Sequence, residues 1–275
     1  MSSEKSKIVL VTGASSGIGE SAVRALLAAG HRVHGAARRV EKMKSIEDAG
    51  ASVYHLDVTE DESMKKVVDD IVEKEGRIDV LINNAGFGLF GAVEDVTIEE
   101  ARRQFEVNLF GLARMTQLVL PSMRAWRSGT IINISSVGGK IHTPLGAWYH
   151  ATKHAIEGWS DCLRIELAQF GINVVIVEPG AIQTEFDEVV VDPLLRRSKG
   201  GAYFKLAEKM ATATSDTYAS GKASPPSVIA DVLVRAVAAD RPKTRYVAGY
   251  LAKPMIIARR LLSDRMFDWM IHKFL

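Results

Sequence analysis

The sequence predicts an α/β fold built on a doubly wound parallel sheet with helices on both faces. Three observations carry that expectation. Short apolar runs alternate with amphipathic helical patterns through the first two thirds of the chain. Those runs are apolar throughout, as strands covered on both faces are, and do not alternate with polar residues. The 275 residues, 47% of them hydrophobic, suffice for one large core.

The strand-like runs are KIVLVT (7–12), HRVHGAA (31–37), ASVYHLD (51–57), IDVLINN (78–84), TIINIS (130–135) and INVVIVE (172–178). Helical stretches start near Gly17, Val40, Glu60, Thr97 and Ala147. Right-handed crossovers then wind the chain about the sheet. The alternation breaks after Pro179: residues 184–226 are mixed and polar and close with SGKASPPS (220–227). So irregular a segment reads as a lid or binding loop. A helix is expected at 227–239, and the tail reads as two short amphipathic helices divided near Ser263 and Asp264. No repeat or linker marks a second domain. The expectation is one domain over 1–275, with a core at 7–182, a substrate loop at 183–226 and a helical tail at 250–275.

Lys and Arg number 35 against 33 Asp and Glu, a formal charge of +2, which predicts no nucleic-acid partner. The single cysteine, Cys162, excludes an internal disulfide and fits a reducing compartment. Its apolar helical neighbours Trp159 and Leu163 predict a buried, inert thiol. The polar start MSSEKSK shows no signal peptide, and no apolar run is long enough to span a bilayer. A cytoplasmic protein is expected. The seven histidines show no metal spacing, and His142, His150 and His154 read as surface or pocket-rim residues.

Two short stretches carry chemistry. The first strand ends in TGASSGIG (12–19), whose Gly13, Gly17 and Gly19 are spaced G-x-x-x-G-x-G. Glycines between a first strand and a first helix let backbone approach a pyrophosphate, which the helix N-terminus then receives. The stretch YHATK (149–153) places Tyr149 and Lys153 four apart, on one face of a helix.

TGASSGIG together with NNAG (83–86), Ser136 and YHATK resembles the classical short-chain dehydrogenase/reductase family, in order across about residues 7–185. The resemblance implies a Rossmann-like domain with a seven-stranded sheet, for which TRYVA (244–248) would supply the last strand. It implies that Tyr149 is the catalytic acid/base, Lys153 its assistant, Ser136 the substrate-orienting hydroxyl and Asn108 the holder of a water in a proton relay. For the cofactor it implies Ser15, Ser16 and Ile18 with the three glycines, then Asn84, Ala85 and Gly86, and Asp57 and Val58 about the adenine. Pro179, Gly180, Ile182 and Thr184 would hold the nicotinamide end. Read without the resemblance, Asn108 is a capping or structural amide, and Asp57 ends a strand before a helix capped by Thr59.

A free phenol titrates near ~10, and a neighbouring ammonium is expected to bring Tyr149 down toward the operating pH. Lys153 would also reach the nicotinamide ribose. Where the family's NAD users carry an acid after the second strand, this chain has Ala37, followed by Arg38 and Arg39. Guanidinium groups pair with phosphate, so the expected cofactor is NADP(H), with Arg38 the main contact and Arg39 the more readily solvated. Two other readings are a small hydroxy-acid dehydrogenase and a non-catalytic dinucleotide sensor, though sensors typically lose the tyrosine or lysine kept here.

A homodimer or homotetramer is expected through the helices near 98–126 and 147–170, with Leu112, Met115, Leu118 and Leu163 serving interface or core. The tail residues Met255, Ile256, Ile257, Leu261, Leu262, Met266, Phe267, Trp269, Met270, Ile271 and Phe274 are read first as core-covering. They could also close over a lipophilic substrate or, less favoured, rest on a membrane surface. Trp148, beside the catalytic tyrosine, reads first as packing and second as a pocket wall. The expected substrate is a lipophilic carbonyl or alcohol.

Overall fold

The computed structural model describes residues 6–184 and 186–274. The strands are β1 (Ile8–Thr12), β2 (Arg32–Ala37), β3 (Ser52–His55), β4 (Val80–Asn83), β5 (Gly129–Ile134), β6 (Ile172–Pro179) and β7 (Arg245–Ala248). They form one sheet in the order β3-β2-β1-β4-β5-β6-β7, every pair parallel. The strand order reverses between β1 and β4, and ligands of such sheets bind beyond the strand ends at that point.

The doubly wound core follows from the apolar strands. Val9 and Val11 of β1 face α1 (Gly17–Ala28) and α9 (Ser227–Ala238), packing with Val23, Leu26, Ile229 and Leu233. Ile8 and Leu10 face the other way, toward α3 (Asp61–Glu75), α5 (Leu112–Trp126) and α6 (Ala147–Leu167). Successive strand side chains point to opposite faces, so a strand buried on both must be apolar throughout.

Other elements depart from expectation in instructive ways. The stretch near Val40 is a 3₁₀ turn (Val40–Met43) and a single α turn, α2 (Lys44–Glu47). The helix after Thr97 begins as α4 (Ile98–Phe105), where Thr97 and Glu100 form a reciprocal capping box. It continues through a π-helical turn, Glu106–Gly111, into α5. The 184–226 segment is mainly helical: α7 (Phe186–Ser198) and α8 (Phe204–Ala219) pack Val190, Leu194, Ala207 and Ala211 inward. Small alanines on the buried side make α8 look polar in sequence, which hides its period.

Leu112 is buried, Met115 and Leu163 lie in the core, and Leu118 is partly buried against it, so these four serve the fold. Cys162 is exposed, correcting the expected burial. Ile156, Ser160, Leu163 and Leu167 set the inward face of α6, and Cys162 falls off that face. The tail forms α10 (Ala252–Leu261) and α11 (Asp264–Phe274). Phe267 and Ile271 dock on Ile141, with Met255, Leu262 and Met270 alongside. Fully burying a side chain of this size stabilises by about 1.5–3 kcal/mol, which anchors the tail. The side chain of Phe274 lies outside the described residues. No helix among the described residues is long and apolar enough to cross a membrane.

Candidate active site

A cavity of about 880 Å³ opens beyond the ends of the central strands. The turn after β1 forms one end. Gly13 has φ +68°, and a Cβ there would come within 2.8 Å of the Ala85 Cα. A Cβ on Gly19 would meet the Gly13 carbonyl oxygen at 2.2 Å. Only glycine permits that left-handed turn and that close approach. The Asn84 amide donates to the Thr12 and Gly13 carbonyls, both at 3.1 Å, and locks the turn to β4.

Gly13, Ser15, Ser16, Gly17 and Ile18 line the cavity, and Gly19 packs behind them against the Gly13 carbonyl and Asn84. Arg38, Arg39, Asp57, Val58, Asn84, Ala85 and Gly86 continue the wall, and Pro179, Gly180, Ile182 and Thr184 close the far side. The two arginines divide the space. Arg39 Nη2 donates to the Ser16 and Ser15 hydroxyls at 3.2 and 3.4 Å. Partial burial works to raise the Asp57 carboxyl, yet hydrogen bonds from Thr59 and the charge of Arg38 hold it below its ordinary value. The N-cap of α3 is Glu60, not Thr59, because the Thr59 hydroxyl donates to Asp57 at 2.8 Å.

These residues fit a phosphorylated dinucleotide. A backbone cradle and a helix N-terminus face the cavity, Ala37 supplies no acid at the end of β2, and two exposed guanidinium groups stand beside it.

Ser136, Tyr149 and Lys153 meet in the same cavity. The Ser136 side chain caps the turn Val137–Gly139 by accepting from the Gly138 N–H at 3.0 Å, and it hydrogen-bonds the Tyr149 phenol. Burial pushes that phenol above its ordinary value, with the Ser136 bond working the other way. The expected lowering by Lys153 is therefore not what the site shows. Lys153 Nζ donates to the Ile134 carbonyl at 2.9 Å and lies 5.8 Å from the Tyr149 ring centroid. Burial lowers the lysine to about 8, against the pull of Glu157.

Behind Lys153 lies a charged cluster that the sequence did not reveal. Lys140 meets Glu157 at 2.7 Å, and Arg245 meets Glu157 at 3.1 Å, Asp161 at 2.7 Å and Glu178 at 3.3 Å. Burial and the charge of Glu157 push Glu178 up to about 7, opposed by Lys140 and Arg245. Glu157 follows Lys153 by four residues, as Lys153 follows Tyr149, so the i, i+4 ladder was present in sequence without a reason to read it.

Asn108 is not part of the cavity wall. Its amide accepts from the Phe87 N–H at 3.0 Å and donates to the Phe87 carbonyl at 2.9 Å and the Thr152 hydroxyl at 3.2 Å. Both its side-chain donors are thereby engaged, in the π-helical turn of a kind frequent at functional sites. His150 is buried and lines the cavity, so of the two expected places, surface or pocket, it takes the pocket. It bonds the Gly138 carbonyl and Thr143, and burial lowers it to about 4. His142 and His154 are exposed. Trp148 packs against Phe105 and the Leu89 cluster, outside the cavity lining.

The remaining wall is largely apolar: Phe87, Phe90, Ile141 and Val190, with Met210, Ala213, Thr214, Thr217 and Tyr218 of α8. Spacing of three and four along α8 was the available signal. Tyr250 and Leu251 complete the rim, but the tail beyond them lines none of the cavity and instead supports Ile141 from behind.

Comparison with known proteins agrees with this geometry. The profile of a family described as short chain dehydrogenase matches residues 7–193. A 3-ketodihydrosphingosine reductase of Bacteroides thetaiotaomicron is 43% identical over 66% of each chain. An NADPH-dependent 3-dehydrocapnine reductase of Ornithobacterium rhinotracheale is 33% identical over 97% of this chain and 96% of that protein. The crystal structure of a short-chain dehydrogenase from Streptomyces avermitilis superposes with a TM-score of 0.80, at 37% identity over 93% of both chains. With its seven-stranded sheet and a profile match across both chemical motifs, this protein belongs to the short-chain dehydrogenase/reductase family of oxidoreductases.

Proposed function

We propose that the protein is an NADP(H)-dependent reductase interconverting a ketone and a secondary alcohol on a lipophilic, chain-bearing substrate. The observation that carries this reading is the meeting of Ser136, Tyr149 and Lys153 in one cavity that runs from the glycine turn to the apolar face of α8. In this reading Arg38 and Arg39 hold the 2′-phosphate, and the bound cofactor supplies a hydride to the carbonyl carbon. Ser136 donates a hydrogen bond to the carbonyl oxygen, and Tyr149 gives that oxygen its phenolic proton as negative charge develops. The raised phenol keeps Tyr149 protonated, and so loaded as an acid, at neutral pH. Lys153 stabilises the phenolate left behind and, at about 8, exchanges its own proton near neutrality. Asn108 acts at one remove by fixing Phe87 and Thr152.

Two relatives are named as reductases of 3-ketodihydrosphingosine and 3-dehydrocapnine, both lipophilic ketones, and one of those names specifies NADPH. The apolar wall supports the same substrate class, since pockets take the polarity of what they bind. The test is a panel of long-chain ketones, small ketones and hydroxy acids, followed by NADPH and NADH consumption. Long-chain ketones with NADPH should give the highest kcat/KM, and a small hydroxy acid turned over orders of magnitude faster would end the substrate reading.

A homo-oligomer with isologous contacts belongs to the same proposal. With Leu112, Met115 and Leu163 in the core, the surface candidates are Phe110, 54% exposed, and Ile165, 74% exposed. Phe110→Glu with Ile165→Glu should shift sedimentation toward monomer. A wild-type protein that is monomeric at every concentration would refute it.

A further inference from the structure

We infer that the outer face of α10 and α11 is a docking surface for an anionic phospholipid bilayer. Both helices turn one side to the same apolar cluster around Ile141, through Met255 and Ala258 on α10, joined by Leu262 just after it, and Phe267 and Ile271 on α11. Their opposite sides therefore point away from the body. Those sides expose large apolar side chains among their cations, where solvent-facing helices are ordinarily polar. Ile257 and Leu261, four apart on α10, are 55% and 78% exposed, and Met266 and Trp269, three apart on α11, are 56% and 65% exposed. Of the ten large hydrophobic residues exposed among the described residues, these four and Leu251 lie in this tail.

The charge of the tail complements an acidic surface. Residues 250–275 hold five Lys or Arg against two Asp, an excess of three, whereas the whole chain carries +2. Both acids are engaged: Asp264 pairs with Arg259 at 2.8 Å, and Asp268 with His142 at 2.9 Å. Arg259 also lies over the Phe267 ring, so it belongs to the inner side. No carboxylate among the described residues pairs with Lys253, Arg260, Arg265 or Lys273. Lys273 Nζ stands 5.7 Å from the Trp269 ring, the pairing of aromatic plate and cation found in interfacial helices. Neither helix is long enough to span a bilayer, so the contact is with the headgroup region. Tyr250 and Leu251, immediately before α10, form the cavity rim. Docking would thus set the cavity beside the lipid phase.

The test is flotation of the full-length protein with vesicles of equimolar phosphatidylcholine and phosphatidylglycerol, and with phosphatidylcholine alone. It contains neither cofactor nor ketone, so its outcome is separate from that of the substrate reading. The protein should float with the anionic vesicles, not with the neutral ones, and be released by high salt. Each cation near an anionic surface contributes about fivefold to partitioning, so Arg260→Gln with Arg265→Gln should weaken binding on the order of 20-fold. Ile257→Ser with Trp269→Ser should weaken it as well, without loss of fold, because both residues are exposed. Three outcomes would overturn the inference: no flotation with anionic vesicles, equal flotation with neutral ones, or variants that change the oligomeric state while flotation is unaltered. The last would make this face an interface between copies of the chain.

Discussion

Lys153 Nζ lies 5.8 Å from the centre of the Tyr149 ring and 2.9 Å from the Ile134 carbonyl oxygen. The end of β5 thus fixes the lysine, while Ser136, two residues beyond that strand, fixes the phenol one helical turn earlier. Strand and helix together hold an acid whose proton burial retains.

Tyr149→Phe removes that proton and keeps the ring's contact with Phe90, whose centroid is 5.4 Å away. Turnover should fall by about 10²–10⁴, the usual contribution of a positioned general acid. NADPH affinity, measured by fluorescence titration, should change little. A variant retaining most of its kcat would rule out the proposed chemistry. Lys153→Met should lose both turnover and cofactor affinity.

Arg39→Ala should raise KM for NADPH and leave KM for NADH nearly unchanged, because only the former carries the 2′-phosphate. Hydrogen bonds to charged groups contribute about 1.5–3 kcal/mol, and the exposure of this guanidinium places it at the lower end, roughly tenfold in KM. Arg38→Ala should act in the same sense and also raise the Asp57 carboxyl. Equal effects on both cofactors would remove the phosphate assignment.

Glu178 gives a pH dependence of stability. Its folded pKa of about 7 lies above the ordinary 4.5. Proton uptake therefore favours the folded state: this contribution is complete below about 4.5 and disappears as pH rises through about 7. Glu178→Gln, a mimic of the protonated acid, should raise Tm by a few degrees at pH 8 and change it little at pH 4. An equal shift at both values would show that Glu178 does not titrate in this window.

Met210→Lys would place a charge on the apolar wall formed by α8. Its kcat/KM for a long-chain ketone should drop at least tenfold, while a small ketone should be nearly unaffected. Losing both equally would point to a folding defect, which a melting curve separates from loss of the wall.

Much of this protein is legible without coordinates. The strands could be located because a strand buried on both faces must be apolar at every position, and Val9 to Val11 satisfy that locally. Gly13 and Gly19 were legible because backbone crowding admits no side chain there, whatever lies elsewhere. Tyr149 and Lys153 could be paired from spacing, since a helix by itself brings residues four apart together, whereas Ser136 and the roles of all three came from the family resemblance.

What the sequence leaves open depends on contacts between distant segments. The sign of the Tyr149 shift is set by how deeply the assembled walls bury the phenol, and spacing along α6 carries no information about that. Asn108 is turned toward Phe87 and Thr152 by the packing of α4 and the π-helical turn against the strand ends and α6. The orientation of Cys162 depends on which side of α6 meets the sheet. Glu157, Glu178, Lys140 and Arg245 come from four separate segments and become one charged cluster only when β6, β7 and α6 pack together. Local rules settle the central strands and the motif spacing, because their causes lie within a few residues. They missed α7 and α8, and the buried face of α8, made of small alanines, has no strong pattern along the chain. Burial and electrostatics at the site need the whole fold, because desolvation and Coulomb interactions act through space and not along the chain.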